Sequence, residues 1–462
     1  MSNRRRRNNI PFFLDNGVLI EGVDNVRNVI YTHFSSHFRH VIASRPSMEG
    51  LSFWSLPFRE RAALVMPFSL DEVKVAVWDC ENFKCPGPDG INFGFIKDLW
   101  DIMKDDVMRF LVEFHRNGRL AKGINNTFIA LIPKVDSPQR LSDFHSISLV
   151  GSLYKILSKV LANRLRLVMD SVISDSQSAF IKGQQILDGI LVANEVVDEA
   201  LKCNKELLLF KVDFEEMYDS IDWGYLDEVM KMMGFPTLWR KWIKECIGTT
   251  SASVLVNGSP MAEFPLKRGL RQGDPLSPLL FLLAAEGFHV LMDSLSINNL
   301  FSGYHMGRSE PVIVSHLKFV DDTLILGEKS WANVRTMLAF LLLFESLLGL
   351  KVNFSKSQLV GVNVAGSWLS EAARLLQCRV GSLPFVYLGL PIGGNARRLS
   401  FWKPIIGRIK SRLSGWKSKH LSLGGRLVLL NLCLFMLFLF SRLRHVSFPL
   451  LNLFLTLFFG RE

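Results

Sequence analysis

Cysteine is scarce and scattered: Cys80, Cys85, Cys203, Cys246, Cys378 and Cys433 form no CxxC pair. That spacing excludes a zinc framework or disulfide scaffold and points to a reduced, intracellular chain. No GxxxxGK[ST] loop, HExxH pair or nucleophile constellation occurs, so proteases, ATPases and dehydrogenases have no foothold. Repeats and low-complexity tracts are also missing. Only Leu427 to Phe440 raises a membrane question, and it falls short of the roughly 20 residues a bilayer core needs; it reads as a buried core segment ended by Arg442 and Arg444. The opening MSNRRRRNN lacks the apolar stretch of a secretory signal. The expected location is therefore nuclear or cytoplasmic, not secreted, with no obligate membrane. The four arginines suit a nuclear address, a nucleic-acid arm or a solvated tail alike.

Acids are outnumbered, 43 against 54 Lys and Arg, for a net charge of +11. Such a surface favours a polyanionic partner, nucleic acid or acidic lipid. With 462 residues, 48% of them hydrophobic, the chain can bury a substantial core in two or three subdomains. Within it, Ser315 to Gly327 (SHLKFVDDTLILG) reads as two short strands hinged at Asp321 and Asp322. Adjacent carboxylates raise each other's pKa, which a cation between them or water around them relieves. Taken alone the pair matches a solvated turn. A third acid, Asp213, ends the strand-like run Leu207 to Val212, where nothing local explains it. If the two runs lie side by side, three carboxylates can hold two Mg2+ ions, lower the pKa of an attacking hydroxyl and neutralise a leaving phosphate. The chemistry indicated is nucleotidyl transfer.

Other stretches supply candidate contacts. Residues 1–75 read as an extension or linker packing on the rest of the chain; His33, His37 and His40 share one helix face there, a half-buried surface rather than a metal site. FKCPGPDGIN (83–92) is a turn in which Asp89 bonds its own backbone. Thr127 to Pro133 is a short strand ending at Lys134, a candidate phosphate contact. Leu153, Ile156, Leu157, Val160, Leu161, Leu165 and Val168 form a helical stripe, with Lys155, Lys159 and Arg166 off it, on a solvated face or against a template. In FPLKRGLRQGDPLSPLLF, Gly269 and Gly273 let the backbone approach a ligand, while Ser277 and Pro278 open a helix whose positive end, with Lys267, Arg268 and Arg271, suits phosphates. GLKVNFSKS places Lys356 in a loop, and FVYLGLPIGG reads as a hairpin. Arg397 to Lys419 interleaves eight bases with Trp402 and Trp416 and contains no acid, a surface fit for a nucleic-acid backbone or for solvent.

In order along the chain, KCPGPDGIN, FIALIPK, DFHSISLVGSLYKILSKVLANRL, SQSAFIKGQQILDGILVANE, FKVDFEEMYDSIDW, RGLRQGDPLSPLLF, HLKFVDDTLI, GLKVNFSKS and YLGLPIGG resemble the reverse transcriptase of a LINE-type, non-LTR retrotransposon of the kind found in plants. The resemblance runs to about Gly425. It implies an α+β right-hand polymerase fold of fingers, palm and thumb, the palm an antiparallel sheet backed by helices. The corresponding divisions are residues 1–75 as extension, 76–205 as fingers, 206–395 as palm and 396–462 as a thumb-like basic region with an atypical apolar tail. It further implies that Asp213, Asp321 and Asp322 bind two Mg2+ ions, Mn2+ being a possible substitute, and that Lys356 protonates pyrophosphate. Lys134, Phe214, Tyr218, Gly269, Arg271, Gln272 and Gly273 would serve nucleotide and template, with Tyr218 under the incoming sugar. Tyr387, Leu388 and Gly389 would belong to the primer grip. RNA template, DNA primer and dNTP are the implied partners; protein partners are left unspecified.

The chain also departs from that pattern. His145 and Ser146 stand where the family has Arg and Pro, removing a triphosphate contact. Gln184 replaces an arginine, Glu216 and Met217 replace Lys and Ala, and Val320 replaces an alanine. The alternative to an active polymerase is therefore a weakened or inactive remnant that still binds nucleic acid.

Overall fold

The computed structural model describes residues 10–394 except 11, 16–17, 40–44, 178, 180–185 and 308–310, together with 403 and 407. His40, Gln184, almost all of the Arg397 to Lys419 stretch and the Leu427 to Phe440 tail lie outside the described residues.

The chain mixes helix and sheet around a central five-stranded sheet. Its spatial order is His316–Phe319, Asp322–Glu328, Leu207–Val212, Gln358–Val362 and Arg379–Val380. All neighbours are antiparallel except the last pair, which is parallel. The middle strand, LLLFKV, is apolar at every position but Lys211 because both its faces are covered. Successive side chains point to opposite faces of a strand. Leu208, Phe210 and Val212 accordingly enter one core with the long helices Ser277–Ile297 and Trp331–Leu348, while Leu207 and Leu209 enter another with helix Ile186–Cys203 and the hairpin around Tyr387. Burying each such Leu or Phe contributes about 2–3 kcal/mol.

Both long helices are apolar enough by length and composition to cross a membrane. In this fold Leu279 to Phe288 is buried throughout, making Ser277–Ile297 the axle of the larger core. It runs on to Ile297, beyond the apolar stretch that ends near Met292. Ser277 is its first residue rather than its cap: the N–H of Leu276 donates to the Asp274 carboxylate at 3.0 Å. Trp331–Leu348 is bounded more conventionally. Ser330 accepts the N–H of Asn333, and Gly349 closes the helix at φ +80°.

A second sheet orders Phe144–Val150, Asn126–Pro133, Ser251–Val256 and Ser259–Pro260, with Phe264–Pro265 also paired to Ser251–Val256. Helix Val23–Arg39 lies against it. Val26, Ile30, Phe34 and Phe38, four residues apart, pack with Ile129, Leu131, Val254 and Phe264. The expected FKCPGPDGIN turn is present; Asp89 accepts the N–H of Ile91 and, across the fold, that of Ser152 at the start of helix Ser152–Arg166.

Candidate active site

Strand register brings the three aspartates to one end of the central sheet. Phe319 pairs with Asp322 across a two-residue turn, Val320 and Asp321. Thr323 pairs with Val212, so the next residue of each strand, Asp322 and Asp213, leaves the ladder side by side. These acids stand more than a hundred positions apart in sequence. Their charges register on one another. Burial raises the Asp213 pKa, Asp321 raises it further, and Lys356 and Lys211 oppose the rise. Burial likewise raises Asp322, reinforced by Asp321 and Asp213 and countered by Lys211.

Two polar residues that sequence patterns did not single out hold this end of the strand. Asp213 donates its N–H to the Ser357 hydroxyl oxygen at 3.0 Å and accepts from the Asn353 N–H at 2.8 Å. Ser357 donates onward to the Asn353 carbonyl at 2.8 Å. The loop so fixed presents Lys356, whose charge lowers the Asp213 pKa. Its N–H is capped by the Asn353 side chain at 3.0 Å. Phe214 pairs in a short ladder with Val352, and its ring packs edge-on against Phe344.

Among the described residues no three His, Cys, Asp or Glu side chains close around one point. The aspartates gather on one edge without forming a cage. Their chemistry still fits divalent cations: two of the three are half-buried, mutually repelling, and offset only in part by lysines.

Tyr218 stands over this edge. Its ring stacks on Phe281 at 4.9 Å, and burial together with the charge of Asp321 pushes its hydroxyl up to about 12. The glycine loop packs behind it. Leu270 donates to the Tyr218 carbonyl at 2.6 Å, Gly269 to that of Ile221 at 2.8 Å, and Gln272 accepts from Ser148 at 2.7 Å. The sequence reading has Gly269 and Gly273 admitting a ligand; what they admit here is the chain's own backbone. A Cβ on Gly269 would lie 2.5 Å from the Asp219 carbonyl, and one on Gly273 would lie 2.8 Å from that of Ser148.

Arg271 likewise turns inward instead of towards a template. Only 8% exposed, it bonds Asn125 at 2.6 Å and the Cys246 carbonyl at 3.2 Å, pairs with Asp274 at 2.8 Å and lies over the Tyr154 ring. Asp274 also accepts from Tyr154 and Ser158. The positive helix end thus faces a buried aspartate of this chain, which removes the phosphate site inferred from Arg271 and the helix start. Arg268 donates to the His37 carbonyl at 2.9 Å.

Tyr387 is fully buried, its hydroxyl 3.4 Å from the Asp322 carbonyl, and its hairpin turns at Leu388 and Gly389, both with positive φ. Lys211 ties that hairpin to the central strand through Val386. Lys134 sits elsewhere, donating to Ser142 at 2.9 Å at the turn of the second sheet. Of the helix bases, Lys159 pairs with Asp79 and Lys155 lies over Phe93. Asp219, Glu216, Ser146 and His37 form a corner; the sequence marks Ser146 and Glu216 only as departures from the family pattern and His37 only by its spacing, and nothing in it brings them to Asp219. Ser146 donates to Asp219 at 3.1 Å, and His37 lies 3.4 Å from Glu216 and 3.2 Å from the Asp219 carbonyl.

Residues 132–392 match the family described as reverse transcriptase (RNA-dependent DNA polymerase). Across 91% of its length the chain is 26% identical to the transposon TX1 uncharacterized 149 kDa protein of Xenopus laevis, covering 32% of that protein. Across 69% it is 27% identical to the retrovirus-related Pol polyprotein from type-2 retrotransposable element R2DM of Drosophila melanogaster, covering 28% of it. A 69-residue stretch, 15% of the chain, is 41% identical to the uncharacterized mitochondrial protein AtMg01250 of Arabidopsis thaliana and covers 56% of that protein. The chain spans about a third of the length of the first two relatives.

Proposed function

The chain belongs to the reverse transcriptase (RNA-dependent DNA polymerase) family, as the RNA-directed DNA polymerase domain of a non-LTR retrotransposon, and from that premise we propose that it extends a DNA primer along an RNA template with dNTPs. The observation that carries the reading is the register that sets Asp213 beside Asp322 within the matched segment. Reverse transcriptase domains use divalent metal ions; here Asp213, Asp321 and Asp322 would hold Mg2+, or Mn2+ in its place. When bound, such ions lower the pKa of the primer 3′-hydroxyl and offset charge on the leaving pyrophosphate. The chain's own groups do the rest. Lys356, beside Asp213, would protonate the leaving pyrophosphate; Tyr218 packs beneath the nucleotide sugar; the Tyr387 to Gly389 hairpin, braced on the Asp322 carbonyl, supports the primer end. In this reading residues 76–205 are fingers and 206–395 palm, the expected thumb-like stretch 396–462 lying outside the described residues save 403 and 407; a plant origin is supported only by 41% identity over 15% of the chain to an Arabidopsis thaliana protein.

Primer extension on a primed RNA template tests it. The protein incorporates dNTPs only with a divalent cation, and Asp321→Asn lowers the rate by about a hundredfold or more. An unmutated protein inert across salt and metal conditions counts against the proposal. The weakened-remnant reading has its own support: His145 is exposed where the family carries arginine, and Ser146 is engaged with Asp219. Under that reading, His145→Arg with Gln184→Arg raises incorporation sharply; an unchanged rate removes it.

A further inference from the structure

The turn bearing the aspartates is braced from behind by the segment Ser174 to Gln177. Val320 adopts φ +56°, the left-handed region that a β-branched residue disfavours. Such a conformation persists where the surroundings enforce it. Its N–H lies in the turn and donates to the side-chain oxygen of Gln177 at 3.2 Å. That oxygen also accepts the Ala179 N–H at 3.1 Å, and Gln177 is 3% exposed.

Gln177 is in turn anchored. Its N–H donates to the Ser174 carbonyl, and Ser174 donates to the Glu286 carboxylate at 3.1 Å on the buried helix Ser277–Ile297. Lys318, on the strand entering the turn, is fixed on two sides. Its N–H donates to the Ser176 carbonyl at 2.9 Å and its ammonium to the Ala285 carbonyl at 2.8 Å. A continuous set of bonds therefore runs from the core helix through Ser174 to Gln177 and ends on the residue preceding Asp321.

We propose that Gln177 is a positioning residue for the polymerase reaction: its amide oxygen enforces the Val320 turn and thereby aims Asp321 and Asp322. This rests on the metal-dependent reading above. A residue that only filled space would affect stability. One that orients ligands also sets how tightly divalent ions are held.

The test measures Mn2+ binding to the intact protein by loss of the free-ion EPR signal, alongside primer extension and urea unfolding. Gln177→Met, of similar length but without the acceptor, weakens Mn2+ binding about tenfold or more. Gln177→Glu keeps an oxygen at the same reach and retains affinity. Val320→Gly, which takes φ +56° without penalty, restores most of the binding in the Gln177→Met background. The proposal is overturned if Gln177→Met, folded by its unfolding transition, binds Mn2+ as the unmutated protein does, or if Val320→Gly recovers nothing. Mn2+ binding abolished by Asp321→Asn but without primer extension sinks the polymerase reading and leaves the brace to be judged by affinity. No Mn2+ binding at all by the unmutated protein sinks both.

Discussion

Gly269 and Gly258 have nearly the same backbone conformation, φ +83° and +84°, in opposite surroundings. A Cβ on Gly258 would have nothing within 4 Å, whereas one on Gly269 would meet the Asp219 carbonyl at 2.5 Å. Alanine at 258 meets only the conformational penalty of the left-handed region, about 1 kcal/mol. Alanine at 269 adds an overlap with backbone that has no flexible end to swing away, so its expected cost is about 3 kcal/mol or more. The shift it forces falls on Asp219 and hence on the neighbouring Tyr218. Urea unfolding of the two variants checks the order, and equal costs would show that the loop yields freely.

At the scale of elements, the glycine loop and the helix after it act as a structural joint held by the Arg271–Asp274 pair. Removing one partner of a buried pair strands the other, a loss of about 3–5 kcal/mol. Asp274→Ala is therefore expected to lower the unfolding free energy by that amount. Arg271→Met is expected to leave the salt dependence of RNA binding unchanged, because a guanidinium buried against Tyr154 neutralises no phosphate; a shallower slope in a salt titration would place it on the template after all. This joint marks where the sequence stops being readable. Alternation and helical spacing are local properties, so the LLLFKVDF strand, the FVDD turn, the helix after Pro278 and the hairpin at Tyr387 were all legible. The end of helix Ser277–Ile297 was not, since the apolar pattern fades before the backbone does. Nor does sequence reveal which partner a charge has. Arg271, Lys155 and Lys159 look like bases available to a polyanion, and their partners Asp274, Phe93 and Asp79 emerge only on folding. Ser357 and Asn353, common loop residues, were silent for the same reason.

For the molecule as a whole, distant segments meet at Asp219. The second sheet contributes Ser146, the N-terminal helix His37, the glycine loop Arg268, and the turn after the central strand Glu216. Burial, reinforced by Glu216 and opposed by Ser146 and Arg268, pushes the Asp219 carboxyl up to about 7 from an ordinary 3.8. Between those two values the folded protein keeps a proton that the unfolded chain has released. The stabilisation linked to this group is thus complete below about pH 4 and is lost as pH rises through 7. His37 acts with the opposite sense, because burial and Arg268 hold its pKa below the usual 6.5, so its contribution is lost as pH falls. Asp219→Asn isolates the acid's share. In urea unfolding from pH 4.5 to 7.5, the stability difference between unmutated protein and variant should fall with rising pH, by at most about 1.4 kcal/mol per pH unit. Parallel pH profiles would mean that Asp219 is already ionised in the fold, with Arg268 holding its charge, and that the N-terminal helix docks on an anion instead of a neutral acid.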